Sequence, residues 1–257
     1  MNEPATPAAS AIFDATADGY AATMAPSLRP VAAEVVRRAK LQPGEFVLDV
    51  GCGTGIAAAA AAATGAVVTG LDGAPGMIAI ARREVPDADF RVGDFMALPF
   101  DGASFDAVIS SHALLFADDR VGALREWRRV CRPGRGLSLS VPGPQERTPG
   151  TLYREVYRRH DVATTYDYPV TADLIAWASQ AGWTDAAVAE DPAMAIRLPD
   201  AEAFATWRRT GSRGAATAGW SEERHAALTA DMLAVTPREA DGTYAVPFGA
   251  IYLTARA

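Results

Sequence analysis

The sequence predicts an α/β fold, a doubly wound, seven-stranded and mostly parallel sheet with helices on both faces and a helical cap. Three observations carry that expectation. Short apolar runs alternate with helical patterns over residues 46–141, the second and third of those runs end in the acids Asp72 and Asp94, and the first breaks into the alternating glycines Gly51, Gly53 and Gly55. Apolar runs of strand length that alternate with helices mean parallel βαβ units joined by right-handed crossovers.

Residues 1–11 are rich in Ala, Pro and Ser or Thr and are expected to be disordered. Residues 12–24 hold Phe13, Tyr20 and Met24 among small residues, which predicts a short helix that covers something. Over residues 28–41 Val31, Val35, Val36 and Ala39 recur at helical spacing until Gln42-Pro43-Gly44 stops them. A buried strand at 46–50 runs into the glycine turn, and an alanine-rich helix follows over 56–63. Glycine alone takes positive φ freely and lets a ligand come close to the backbone. The following helix start adds unpaired N–H groups, so the turn is the expected site.

Strands are then expected at 67–72, 90–94, 105–111 and 137–141, separated by helices at 74–85, with Met77, Ile78 and Ala81 on one face, and at 121–130, with Leu124 and Trp127 inward. Pro133-Gly134 marks the end of the second of these helices. From Pro142 the rhythm lapses, and residues 142–170 read as a helical insertion over the site, carrying Tyr153, Tyr157, Tyr166 and Tyr168 as lid packing or as substrate contacts. A helix at 172–181, a strand at 183–189, helices at 200–209 and 221–233 with Asp200 and Ser221 as N-caps, and a last strand at 248–255 complete one domain. Residues 12–141 form its core, and residues 142–170 and 199–235 form its cap.

At 257 residues with 49% hydrophobic and 21% charged content, the chain is long enough for one sizeable domain. A formal net charge of −7 and the lack of any long Lys or Arg run argue against a nucleic-acid or anionic-membrane partner, since such binding needs a concentrated cationic face. Cys52 and Cys131 imply no disulfide framework. The first ten residues do not read as a signal peptide and the alanine run is too weakly apolar to span a bilayer, so a cytoplasmic protein, monomer or homodimer, is expected.

In open α/β sheets ligands bind outside the carboxyl ends of the strands, where the strand order reverses. Asp72, Asp94, Ser110 and Ser111 stand at those ends, and Asp72 lies 21 residues past Gly51, the spacing at which an acid reaches ribose hydroxyls. An adenosine-type ligand follows. Position 56 is Ile where the dinucleotide fingerprint has its third glycine, which disfavours a nicotinamide cofactor. His112, just past the fourth strand, is the first candidate for a general base and His160 the second, while His225 is expected to be solvated, Asp106 structural and Cys131 in the core.

Leu48-Asp49-Val50-Gly51-Cys52-Gly53-Thr54-Gly55, Leu71-Asp72, Gly93-Asp94 followed by Leu98-Pro99-Phe100, Phe105-Asp106, and the run from Arg125 to Gly134 together resemble the class I S-adenosylmethionine-dependent methyltransferases, in particular the methyltransferase type 11 group with its ubiquinone and menaquinone methyltransferases. The resemblance covers residues 12–141 in motif detail and implies a Rossmann-like sheet and S-adenosylmethionine as cofactor. It implies that the backbone at Gly51, Cys52 and Gly53 packs against the methionine and ribose portions, with Asp49 directed to the amino group. Asp72 would take the ribose hydroxyls, Gly73 and Met77 would flank the adenine, Asp94 and the Phe95 backbone would meet its exocyclic amine, Ser111 would face the methionine moiety, and Tyr20 would close over the cofactor. Gly134-Arg135-Gly136 departs from the paired glycines usual there.

The chain lacks Asn-Pro-Pro-aromatic after the fourth strand, an acidic cluster after the fifth, and more than 46 residues before Val47. These absences argue against exocyclic-amine, metal-dependent catechol and large dimeric O-methyltransferase types, with no metal expected. Methyl transfer by in-line displacement to O, N or C of a small, partly apolar metabolite is the resulting expectation. The alternative is a non-methylating protein that binds the same cofactor in the same pocket.

Overall fold

The computed structural model describes residues 9–163, 169–210 and 214–257. Its main sheet comprises β1 (Phe46–Val50), β2 (Val67–Asp72), β3 (Asp89–Val92), β4 (Phe105–Ser111), β5 (Cys131–Pro142), β6 (Thr184–Asp191) and β9 (Ala250–Arg256). Their order is β3-β2-β1-β4-β5-β9-β6, with β9 antiparallel to both its neighbours. The order reverses between β1 and β4, so the crevice above their carboxyl ends is where a doubly wound sheet places its ligand. This is the Rossmann-like seven-stranded arrangement expected.

Helices α1 (Ala9–Ala15) and α2 (Ala17–Ala39) precede the sheet, α3 (Ile56–Ala62) and α4 (Pro75–Glu84) follow β1 and β2, and α5 (Arg120–Val130) and α8 (Thr171–Gln180) pack beside β5 and β6. Two buried clusters flank the sheet. Val47, Ala57, Ala61 and Ile109 meet α2 and α3 on one face, and Leu48, Val108, Leu139 and Trp127 meet α5 and α8 on the other. Trp127 also donates its indole N–H to the Phe95 carbonyl at 2.9 Å, which ties the loop after β3 to the core.

α5 starts at Asp119, whose side chain accepts the Gly122 N–H at 2.8 Å. An N-cap of this kind contributes about 1 kcal/mol, so Asp119→Ala should lower unfolding stability by that amount in a denaturant titration while leaving ligand affinity unchanged.

Several expected boundaries are corrected. The two helices read at 12–24 and 28–41 are largely one helix, α2, that contains Pro26 and Pro30. Both prolines are exposed, as is Ala22, so the carbonyls that lose their helical donors face water and the break costs little. Residues 9–11, read as disordered, belong to α1, and residues 1–8 of that reading lie outside the described residues. Pro133-Gly134 does not mark a loop after α5. β5 begins directly at Cys131, and its pairing with β4 shifts between Phe105/Cys131 and Ala107/Gly136 to absorb the extra residues as an irregularity.

The cap holds α6 (Pro149–Leu152), α7 (Arg154–Arg159), α9 (Ala201–Arg208), α10 (Glu222–Val235) and a two-stranded sheet of β7 (Ala195–Leu198) and β8 (Tyr244–Pro247), which periodicity alone did not reveal. Asp200 and Ser221 cap α9 and α10 as expected, accepting the N–H groups of Ala203 and Arg224. Tyr153 and Tyr157 are buried with Phe204, Trp207, Met232 and Tyr244 in a cluster continuous with the α2 side of the sheet, so they pack the cap down onto that face. Tyr166 and Tyr168 lie outside the described residues. His225 is not solvated: it is buried, its Nδ1 2.8 Å from the Arg208 guanidinium.

Candidate active site

The turn after β1 is built from backbone that only glycine adopts without strain. Gly51, Gly53 and Gly55 have φ of 66°, 53° and 84°. A Cβ on Gly51 would stand 2.2 Å from that of Ala113, so the turn seats against the end of β4 only because nothing is there. A Cβ on Gly53 would meet nothing within 4 Å, because that position opens onto a cavity.

Asp72, at the end of β2, holds the turn in place. Its Oδ2 accepts the Gly53 N–H and its Oδ1 the Ala74 N–H, both at 2.9 Å. Burial pushes its carboxyl above the usual range, opposed by the backbone N–H groups of Ala74, Gly53 and Gly73. Asp94 is exposed at the cavity wall and accepts the Met96 N–H at 2.8 Å.

One cavity of about 860 Å³ gathers Tyr20, Gly51, Gly53, Asp72, Gly73, Met77, Asp94, Phe95, Ser111 and His112. Three sequence-derived candidates lie elsewhere. Cys52 is buried behind the turn, with its N–H already given to the Leu71 carbonyl and its Sγ beside Gly70. Asp49 is fully enclosed beneath the turn. His160 stands on the cap, its Nε2 2.9 Å from Asp231 Oδ2, and is not brought to the cavity.

Asp49 is nonetheless a telling residue. Neither of its carboxylate oxygens makes a well-formed hydrogen bond to a described protein group, and the Ala58 backbone N–H opposes the cost of burial only in part. Burial, reinforced by the charge of Asp72, pushes its pKa up to about 7. An orphaned acid under a glycine turn fits a ligand that brings positive charge to the turn.

His112 lies at the opposite wall, buried, with φ of 62° and its ring tilted against Phe248. Its Nδ1 is 3.0 Å from Ser140 Oγ, and its Nε2 has no partner. Burial lowers its pKa to about 4, so the ring is neutral near pH 7.

Sequence reasoning missed two groups of lining residues. The first comes from α1, where Ser10 and Phe13 reach the cavity, Phe13 packs edge-on against Tyr20 and Phe116, and Asp14 accepts the Gly76 N–H. The second is Met24, Leu28, Pro142, Thr210 and Phe248, drawn from four distant parts of the chain. The signal for the first was Phe13 among small residues; of the second only Met24 shared that signal, because only the tertiary fold unites the rest.

The chemistry of the lining is one-sided. Asp72, Asp94 and Asp118 contribute carboxylates, and among the described residues no Lys or Arg lines the cavity. A pyrophosphate would meet three acids and no cation, which rules against a dinucleotide. A nucleoside joined to a sulfonium and an α-amino group matches instead: acids for hydroxyl and amine donors, glycine backbone for close approach, and Met77 and Phe95 for a base. The residues present therefore fit S-adenosylmethionine. The cavity is also roomy for one ligand, in the upper part of the roughly 300–1,000 Å³ range of small-molecule sites.

Comparison with known proteins agrees with that fit. Residues 48–138 match the type 11 methyltransferase domain family. The chain is 32% identical over 164 residues to the demethylmenaquinone methyltransferase of Renibacterium salmoninarum, an alignment covering 56% of this chain and 68% of that one. It is 36% identical over 167 residues to that of Corynebacterium glutamicum (strain R), covering 58% and 72%. Among solved structures, Haemonchus contortus phosphoethanolamine N-methyltransferase 2 in complex with phosphomonomethylethanolamine and S-adenosylhomocysteine superposes with a TM-score of 0.64 at 19% identity, covering 99% of this chain and 61% of that one, a likeness of fold.

Proposed function

The chain belongs to the class I S-adenosylmethionine-dependent methyltransferases, in the group similar to the menaquinone and ubiquinone enzymes, and from that membership we propose that it methylates O, N or C of a small, partly apolar acceptor held between Tyr20, Met24, Leu28 and Phe248, with His112 in the wall beside it. The observation that carries the reading is one cavity that is acidic along the turn and the ends of β2 and β3 and apolar toward α2 and Phe248, with a neutral imidazole at the apolar side.

Asp72 would hold the ribose hydroxyls, Asp94 and the Phe95 backbone the adenine amine, Met77 and Gly73 its faces, and the glycine turn with Ser111 the methionine portion. Asp49 acts through the field it sets beneath the turn. The cofactor supplies an electrophilic methyl on a positively charged sulfur. What the protein contributes is placement: an acceptor atom held about 3 Å from that methyl and in line with its bond to sulfur gains roughly 7 to 11 kcal/mol over free encounter. The walls from α2 and Phe248 exclude water from the acceptor. Likeness to the demethylmenaquinone methyltransferases supports a ring-containing, electron-rich acceptor.

Two measurements test this. Titration calorimetry with S-adenosylhomocysteine should give micromolar affinity, about −8 kcal/mol. Incubation with S-adenosylmethionine and a panel of quinols, phenols and amines should give one product heavier by a CH₂ group. No binding by the wild-type protein overturns the cofactor assignment; binding without any methylated product across an exhaustive panel favours a non-methylating use of the pocket.

A further inference from the structure

Three methionines line the cavity, Met24, Met77 and Met96, and they divide by what their sulfur meets. Among the described residues only Met24 receives a hydrogen bond at sulfur, from the Trp207 indole N–H at 2.9 Å. Trp207 is fully enclosed and packs its ring edge-on against Phe204, with centroids 5.3 Å apart, so the donor is held by its surroundings. Met24 is buried midway along the stripe Tyr20, Met24 and Leu28, by which α2 lines the cavity. The stripe runs into the stretch of α2 that holds Pro26 and Pro30, whose missing N–H groups leave the Ala22 and Pro26 carbonyls without helical donors. The cap presses on the same side. A Cβ on Gly19 would stand 3.0 Å from Thr210 Oγ1, and Thr210, just past the end of α9, lines the cavity too.

We propose that Met24 sets the size of acceptor that the cavity takes, and that Trp207 is the positioning residue that holds Met24 in that wall. The inference rests on the acceptor reading above and adds to it the side chain that limits the acceptor and the group that places it. A methionine has three freely turning side-chain bonds and a polarizable sulfur, so in a cavity wall it adapts to whatever enters. Leu28 and Phe248, its neighbours in that wall, have fewer rotamers to adopt. Met77, on α4, and Met96, after β3, belong to the end where the nucleoside would lie. The adaptable residue on the acceptor side is thus the one whose sulfur is tied down. Turning Met24 away would break a hydrogen bond inside a buried cluster, which opposes the motion.

A fixed wall rejects an acceptor that is one ring too large, whereas a mobile wall admits it. Trp207 does not line the cavity and acts through Met24, so the packing of the cap reaches the site by this one contact.

The chain has six methionines, and in full-length protein labelled with ¹³C at their methyl groups the Met24 shift reports whether its terminal torsion holds one rotamer or averages over several, with Met24→Leu to assign the signal. With S-adenosylhomocysteine bound, wild-type Met24 should hold one rotamer, and phenol and 1-naphthol, as ring probes of two sizes, should each move its signal. Trp207→Phe should bring the signal to the averaged value, with S-adenosylhomocysteine affinity changed less than about threefold. The ratio of 1-naphthol to phenol affinity, from titrations followed in the probes' own signals, should rise about threefold in Trp207→Phe and about tenfold or more in Met24→Ala. Added to Met24→Ala, Trp207→Phe should change that ratio by less than about twofold, because its effect runs through Met24. A wild-type Met24 methyl at the averaged value, a signal that neither probe moves, a signal unmoved in Trp207→Phe, or a ratio unmoved in Met24→Ala overturns the proposal while leaving cofactor binding intact. The first two are read on the wild type, so they decide even if Trp207→Phe does not fold. Absent S-adenosylhomocysteine binding in the wild type would instead strike the cofactor reading itself.

Discussion

Asp72→Ala should weaken S-adenosylhomocysteine binding by at least a hundredfold in a calorimetric titration. The carboxylate has two tasks. It accepts the Gly53 and Ala74 N–H groups, which fixes the turn against the start of α4, and its remaining lone pairs face the cavity where the ribose hydroxyls would sit. A hydrogen bond to a charged group is worth roughly 1.5–3 kcal/mol, so losing two toward a ligand amounts to about 3 kcal/mol or more, and each 1.4 kcal/mol is a factor of ten. Loosening the turn adds to this.

Asp72→Asn separates the two tasks. One carboxamide oxygen can serve one of the two backbone donors, but the amide nitrogen meets the other donor head-on, so the turn must shift even though the shape is kept. The asparagine variant should therefore also bind at least tenfold more weakly. Affinity within threefold of the wild type in both variants would show that Asp72 only braces the turn.

That part of the site was legible in the sequence because its causes are local. Glycines at 51, 53 and 55 are needed by a backbone that takes positive φ three times in five residues, and an acid at the end of β2 is placed by strand length and sheet order alone. What was not legible depends on packing across the chain. Whether Pro26 breaks a helix turns on which side of α2 faces water. Tyr153 and Tyr157 read equally well as ligand contacts or cap core, and the aromatic neighbours that decide it, Phe204, Trp207 and Tyr244, lie some fifty to ninety residues downstream. Thr210 carried no pattern at all, and Phe248 read only as the first residue of the last strand, which in fact begins at Ala250. His225 looked solvated because it sits in a polar helix, and the buried Arg208 that it partners is on another one. The same distance hid Trp207, which is unremarkable on its helix until the cap sets its indole beside Met24.

Asp49 offers the sharpest test of how stability and binding are linked here, because the residue that harms the empty protein is the one that fits the cofactor. Its folded pKa of about 7 stands above the 3.8 of an ordinary aspartate. The folded state therefore binds more protons than the unfolded chain between those values, and the contribution of Asp49 to stability is present below pH 3.8 and lost as pH rises through 7. At pH 8 the ionised, unpaired carboxylate costs the ligand-free fold roughly 4 kcal/mol, at about 1.4 kcal/mol per tenfold of proton affinity.

Asp49→Asn removes the charge and keeps the shape. In denaturant titrations the variant and the wild type should differ little near pH 4, and the variant should become the more stable by several kcal/mol at pH 8. Its affinity for S-adenosylhomocysteine should fall about tenfold or more at pH 8, where the wild type presents a full negative charge beneath the turn to the ligand's ammonium group. In the wild type near pH 6, binding should release protons as Asp49 ionises, visible as a calorimetric heat that changes with the buffer's ionisation enthalpy, and the variant should lose that dependence. A variant less stable than the wild type at pH 8, with binding unchanged, would mean that Asp49 is an ordinary buried acid satisfied by its surroundings. The opposing shifts in stability and affinity are what an acid kept for a cationic ligand requires, since the Ala58 backbone N–H offsets only part of the cost of its burial.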